Sequence, residues 1–355
     1  MINCSDDVLS YHNDDVTLPQ SERTAMRKRR DANRDRLKDG LEKNKNRQPF
    51  MYCKQGSYAM LTMVQHAENK YDIDDGVYFE KDDLVGAKGA DRSALDARKM
   101  VRDAVDDGCF STPPEVLKNC VRIFYAAGYH VDMPVYRRRI EKDLVGNDEE
   151  IFELASSEWK RSDARLVTDW FNDENRKQSP DDTNGRQLRR ISRLLKKFSQ
   201  SRSSWGGQIA SGFAITKLVT ECYKTNAARE DCALRDTMTA IRDRLNVSLV
   251  VKHPTTPGET ISKGDDDPKL RFLRDKLEDA IADLADLDKA ECSRKEALKA
   301  WDKVFASDYF SNRAKVDTKA STGVAAIVTS GMLKSVASAA GPQSAVRKEG
   351  GGRFA

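Results

Sequence analysis

The chain has 355 residues, which at ~150 residues per domain is room for about two domains, or one of two lobes. Charged residues reach 33% against 39% hydrophobic, and 4 Trp, 10 Tyr and 12 Phe exclude a chain that is disordered throughout. The 61 Lys and Arg against 57 Asp and Glu leave a formal charge of +4, too balanced for a protein that coats nucleic acid, so any handling of polyphosphate must be local.

Seven scattered cysteines without a CxxC pair, and four histidines (His12, His66, His130, His253) without an i,i+4 pair, argue against a disulfide framework and against Cys- or His-based zinc chemistry. A metal, if used, must be held by oxygen. No apolar run approaches the ~18 residues of a membrane span, and the first residues are acidic rather than basic-then-apolar. A cytoplasmic protein without membrane contact is expected.

Residues 1 to about 20 lack periodicity and read as a docked or mobile arm. Residues 21–44 carry helix formers with a thin apolar stripe (Ala25, Met26, Ala32, Leu37, Leu41), predicting a long helix whose bases, Arg27, Lys28, Arg29, Arg30 and Arg34, form a solvated face. From 47 to 165 the pattern is mixed. A short helix is predicted over Tyr58 to Val64, a strand over Tyr71 to Phe79, a helix over Arg92 to Val105, and a hairpin from Val121 to Tyr136 about Ala126-Ala127-Gly128.

Beyond 165 the chain reads as helical: Ala164–Phe171, Gln187–Phe198, Ile209–Tyr223, Glu230–Leu245 and Pro268–Phe305, the last as more than one helix. Asn172–Gly185 and His253–Asp267 read as polar loops, and Leu249 to Val251 as a brief strand. In the second helix Arg186, Arg189, Arg190, Arg193, Lys196 and Lys197 share one face, expected to be solvated beside a polyanion-handling cleft. The Gly/Ala/Ser-rich end reads as a disordered tail. The expected division is an arm and long helix (1–46), a mixed domain (47–165), a helical lobe (166–331) and a tail (332–355).

The chemistry concentrates in two stretches. In a strand, residues i and i+2 share a face, so Asp72 and Asp74 project together while Ile73 points to the core; Asp75, pointing with Ile73, is assigned a local strand-end role. Two like charges this close call for a cation between them, and magnesium suits hard oxygen ligands that leave room for phosphate. In His130 to Tyr136, Val131, Met133 and Val135 face inward and Asp132 faces out. Should that strand lie beside Asp72 and Asp74, three carboxylates converge, enough for two magnesium ions. His130 shares their face and reads as a hydrogen-bonded spectator. Gly56-Ser57, before the short helix, offers backbone N–H groups and a hydroxyl to phosphate.

The run QGSYAMLT…YDIDDGVYF, with HVDMPVY, and further on SDARLVTDWFN and SGFAITKLVTECY, resembles the bacterial cGAS/DncV-like nucleotidyltransferases (CD-NTases). The resemblance spans about residues 45–305. It implies an α+β fold: a polymerase-β-like palm joined to a C-terminal helical lobe. It also implies a template-independent enzyme that uses Mg²⁺, or Mn²⁺, to join NTPs, ATP and GTP foremost, into a cyclic di- or trinucleotide for antiphage signalling (CBASS) through a downstream effector, with no nucleic-acid activator.

Residue by residue, the resemblance implies that Asp72 and Asp74 bind both metals, and that Asp132 binds one and helps deprotonate the acceptor hydroxyl. Gln55 and Ser57 would touch phosphate or sugar, Lys217 the donor triphosphate, and Arg122 acceptor-side phosphate or base. The ending KEGGGRFA is similar to tails that an associated ubiquitin-transfer-like enzyme conjugates through the terminal carboxylate, here Ala355. Two other readings stay open: a nucleotidyltransferase that tails RNA or modifies protein, and a non-catalytic nucleic-acid sensor.

Overall fold

The computed structural model describes residues 2–66, 71–86, 89–126, 128–143 and 145–313. The expected tail, Ala355 included, lies outside the described residues, as does Ala127 of the hairpin turn.

An eight-stranded mixed sheet forms the first layer. Its strands are β1 (Met51–Gln55), β2 (Asp72–Glu80), β3 (Glu115–Val116), β4 (Val121–Phe124), β5 (His130–Met133), β6 (Val135–Lys142), β7 (Asp148–Ala155) and β8 (Trp159–Arg161). β1 runs antiparallel to β2, while β5 and β6 run parallel to it. One constant register, from Asp72 opposite His130 to Glu80 opposite Arg138, makes β5 and β6 a single track interrupted at Pro134, which has no N–H to give. Period-2 alternation then sorts the side chains. Val77, Phe79, Ile123, Val131, Met133 and Val135 form a core with α2 (Gln20–Lys43) and α4 (Ala94–Val105) on one face, and Ile73 joins a smaller cluster with Leu18, Met26, Tyr71 and Tyr129. The other face carries the acidic residues. α2 and α4 approach closely at Gly40, where any Cβ would sit 1.9 Å from the Ala104 carbonyl oxygen.

The helices of the second lobe are α5 (Ala164–Gln178), α6 (Gln187–Ser199), α7 (Gly212–Cys222), α8 (Glu230–Val247), α9 (Pro268–Leu284) and α10 (Arg294–Phe305). The N-terminal arm docks here: α1 (Ser5–Tyr11) and the π-turn after it place Cys4, Val8, Tyr11 and Val16 in the helical core. The Tyr11 ring lies 4.7 Å from Phe305 and 5.0 Å from Phe310.

Several expectations need correction. The helix after Gln55 is one turn, α3 (Gly56–Ala59), because Leu61 takes a left-handed φ of 55° and stops it. α5 runs on to Gln178 through half of an expected loop, and β7 and β8, without clean alternation, went unpredicted. The brief strand at Leu249 to Val251 reduces to a single bridge, Lys252 to Thr260.

The basic face of α6 is not solvated. Past Leu61 the chain has no ladder partner for its carbonyls, and α6 supplies donors in sequence. Arg189 donates to the oxygen of Met60 (3.0 Å), Arg193 to Leu61 (2.8 Å), Lys196 to Thr62 (3.2 Å) and Lys197 to Gln65 (3.0 Å). On the opposite side Arg190 makes a buried bidentate pair with Glu230, both contacts 2.8–2.9 Å. Nor is Arg34 part of a solvated face: it pairs with Asp75 at 2.6 and 2.5 Å, and Asp75 is wholly buried. Asp75 thus anchors α2 to the sheet rather than shaping a strand end. Arg29 stacks over the Tyr129 ring at 4.0 Å.

Among the described residues no helix is long and apolar enough to cross a membrane.

Candidate active site

Registry alone assembles the acidic cluster. Asp74 lies opposite Asp132 on the parallel track and opposite Gln55 on β1, while Asp72 lies opposite His130 and Arg122 of β4 opposite Asp132. Paired positions share a face. Asp72, Asp74, Asp132, Arg122, His130 and Gln55 therefore stand on one side of the sheet, the side turned toward the helical lobe.

A cleft of about 490 Å³ opens there. Gln55, Gly56, Ser57, Asp72 and Asp74 line its sheet side, and Lys196, Phe213 and His253 are on its helical side. Asp74 is pushed up to about 7, first by burial and then by Asp132 and Asp72, with Arg122 opposing. A carboxyl crowded by two others is relieved by a cation, and three hard oxygen donors suit magnesium or manganese. The donor set fits a divalent metal. Among the described residues, however, no three such side chains are gathered closely enough to form a metal-holding group.

Arg122 pairs with the third carboxylate. Its Nε and Nη2 donate to the two oxygens of Asp132 at 2.8 and 2.7 Å. Asp132, with only 9% of its side chain exposed, and Arg122, 27% exposed, are both absent from the cleft lining. The Arg122 guanidinium is held more strongly protonated, chiefly by the bond to Asp132, with Asp72 adding to it. His130 Nδ1 lies 3.2 Å from Asp72 Oδ1, fitting the spectator reading.

Gly56 gives the acidic cluster its clearance. At φ +61° it sits where L side chains are strained, and a Cβ would come 2.2 Å from Asp74 Oδ2. With α3 only one turn long, its dipole adds little; the strand-to-turn reversal brings backbone against carboxylate.

Gln55 is not free to serve a ligand with its whole amide. Its Nε2 donates to the Tyr78 hydroxyl (2.8 Å), and the Tyr136 hydroxyl donates to its Oε1 (3.1 Å). Those two rings stack at 4.5 Å, 6° from parallel. Lys217 is not brought into the lining; its Nζ lies 3.0 Å from Glu221, which also takes Arg244 at 2.9 Å.

Lys196 stands in the lining instead. It is buried, hydrogen-bonded to Thr62 Oγ1 at 2.9 Å, and pushed down to about 7 by burial and then by Arg193. Nothing local in the sequence distinguishes it from the other bases of α6. Its place depends on the 60–65 segment. Phe213, beside the Ser211 cap of α7, packs edge-on to His253 at 5.5 Å. His253 Nδ1 accepts from the amides of Thr255 (3.3 Å) and Thr256 (3.1 Å), so the hydrogen-bond network assigns the ring proton to Nε2. Burial lowers the His253 pKa, keeping the ring neutral.

Residues 50–136 match the family model described as cyclic GMP-AMP synthase DncV-like, nucleotidyltransferase domain. The palm is a DncV-like nucleotidyltransferase domain. Beyond it, 86–88% of the chain shares its fold with solved CD-NTases. Vibrio cholerae DncV cyclic AMP-GMP synthase, in complex with nonhydrolyzable GTP, superposes with a TM-score of 0.67 at 18% identity, covering 86% of this chain and 96% of that one. CdnG of Bradyrhizobium diazoefficiens, in complex with GTP, gives 0.62 at 16% identity over 88% and 97%. CdnC of Escherichia coli MS115-1, with ATP, gives 0.63 at 16% over 86% and 98%. The matched residues hold β1 to β5 and the start of β6, and the cleft lies between them and the helices.

Proposed function

We propose that this nucleotidyltransferase joins NTPs into a cyclic oligonucleotide, without a template, as a second messenger in antiphage defence, a cGAMP-like dinucleotide being the first candidate. One observation carries the reading: Asp74 and Asp132 are register partners on one face of the sheet, with Asp72 two residues from Asp74 and Gly56 against it, and Asp72, Asp74 and Gly56 line the cleft. The DncV-like model over the palm and the CD-NTase fold of 86–88% of the chain support the product class.

The reaction forms one phosphodiester bond at a time. A ribose 3′- or 2′-hydroxyl of one nucleotide attacks the α-phosphate of another, its proton passes to a base, and pyrophosphate leaves; repetition on the linear intermediate closes the ring. When bound by Asp72, Asp74 and Asp132, Mg²⁺ or Mn²⁺ supplies Lewis-acid stabilisation of the charge on the transferring phosphate and leaving group. Asp132, freed from Arg122, accepts the hydroxyl proton. Lys196 faces the triphosphate from the helical side, taking the place that the resemblance implies for Lys217. Phe213 and His253 offer an apolar face and an N–H donor to a base. Positioning and electrostatics carry the acceleration.

The test is incubation of the purified chain with labelled NTPs and Mg²⁺ or Mn²⁺, phosphatase treatment, and chromatography. A phosphatase-resistant product from NTPs alone, lost in Asp74→Asn, is expected. Label that appears only on added RNA or protein would move the chain to tailing or modification, and substantial product from Asp74→Asn would refute the metal assignment.

A further inference from the structure

The three carboxylates differ in what they touch. Asp72 and Asp74 open to the cleft, but Asp132 spends both oxygens on Arg122 in a bidentate pair of 2.8 and 2.7 Å and is withdrawn from the lining. The pair is built into the sheet: Arg122 and Asp132 are register partners on adjacent antiparallel strands, so their side chains emerge side by side on the same face. A guanidinium fork matches the two oxygens of a carboxylate. A divalent ion draws on those same oxygens, and the guanidinium fork already occupies both of them. Arg122 therefore competes directly with a metal for Asp132.

The same guanidinium is the group on this face best matched to phosphate. It keeps its charge at any working pH, presents a planar fork, and is about a quarter exposed while its partner is nearly covered. Phosphate can draw it off; water does so poorly, because that would strand the Asp132 charge.

On the reading above, we propose that Arg122 is a stand-in cation, holding Asp132 closed in the free protein and releasing it for metal only when a nucleotide phosphate takes the guanidinium. Metal loading then waits on substrate. Arg122 is a positioning residue in this scheme, acting through Asp132. The exchange is of ion pairs only: Arg122 to Asp132 is traded for Arg122 to phosphate and metal to Asp132, with no covalent bond made or broken. By linkage, nucleotide and metal must strengthen each other's binding.

The measurement is Mn²⁺ affinity of the full chain by electron paramagnetic resonance, with and without a nonhydrolysable NTP analogue. Without nucleotide, Arg122→Gln should bind Mn²⁺ about tenfold or more tightly than wild type, since an opposing charge beside a carboxylate is worth about one to three pK units. Arg122→Lys, which keeps the charge and loses the fork, should fall between. The analogue should tighten Mn²⁺ binding more in wild type than in Arg122→Gln, and adding Asp132→Asn to Arg122→Gln should cancel its gain.

Equal or weaker Mn²⁺ binding by both Arg122 variants, or a gain that persists in Arg122→Gln/Asp132→Asn, overturns the proposal. If wild type makes product and binds Mn²⁺ while the variants gain nothing, only the role of Arg122 falls. If no form binds Mn²⁺ even with the analogue, the metal-dependent reading falls, and this inference with it.

Discussion

Replacing Gly56 by alanine separates folding from chemistry. The backbone there has φ +61°, a conformation that costs an L residue about 1–2 kcal/mol. That loss lowers the melting temperature by about 1–3 °C in a chain of this size. The new Cβ would stand 2.2 Å from Asp74 Oδ2, whereas ordinary contact requires about 3.2 Å between such atoms, a retreat of about 1 Å. The Asp74 carboxylate is the mobile partner, since Gly56 is fixed between a strand and a turn. A displacement of ~1 Å in a reacting constellation costs about 10²-fold in rate, or about 2.7 kcal/mol of activation free energy. Pyrophosphate release under saturating NTP, read beside a thermal melt, is the assay. The expected result is a mild melt shift with a rate near one hundredth of wild type. Gly40→Ala, whose Cβ would meet the Ala104 carbonyl far from the cleft, should do the reverse and lower the melt while sparing the rate per folded molecule. A Gly56→Ala protein turning over at a third of the wild-type rate or better would refute the argued contact between this glycine and the reacting geometry.

Three further outcomes follow from the described contacts. Lys196, lowered to about 7, is mostly neutral at pH 8, and an anion beside it favours the charged form. Metal-free NTP binding should therefore take up a proton at pH 8 and much less at pH 6, seen by calorimetry in buffers of different ionisation enthalpy; uptake unchanged in Lys196→Met would refute it. Arg34→Met leaves the wholly buried Asp75 without its cation and should destabilise by about 3–5 kcal/mol in urea unfolding, partly recovered by adding Asp75→Asn; a loss below about 1 kcal/mol would mean that the pair does not anchor α2. Gln55→Leu strips partners from the Tyr78 and Tyr136 hydroxyls, at about 1–3 kcal/mol for each group left unsatisfied. An unchanged melt with a raised KM would instead assign Gln55 to the nucleotide.

What was legible without coordinates has local causes. Strand alternation puts Asp72 and Asp74 on one face and Ile73 and Asp75 on the other, whatever the rest of the chain does. The long helix of α2 is read equally well from its formers and its thin apolar stripe, of which Met26, Leu37 and Leu41 are buried while Ala25 and Ala32 are half-buried. The motif from Gln55 to Gly76 carries the resemblance because a strand, a tight glycine turn and a second strand must lie close in sequence to place Gly56 against Asp74. The convergence of Asp132 with that pair was a conditional expectation, and the parallel register meets its condition.

The tertiary structure decided which partner each charge meets. α6 looks amphipathic with a solvated basic face, and its bases instead satisfy carbonyls of the 60–65 segment, about 130 residues earlier in the chain. Helical periodicity reports that a face is charged; it does not report whether water or unpaired carbonyls will cover it. The same limit explains why Lys217, chosen from its motif, faces Glu221 while Lys196 enters the cleft, and why Asp75 proved to be a buried anchor. Pairing energies depend on distances across the fold and on how much water is excluded around each pair, and neither quantity exists until the sheet and the helices have met.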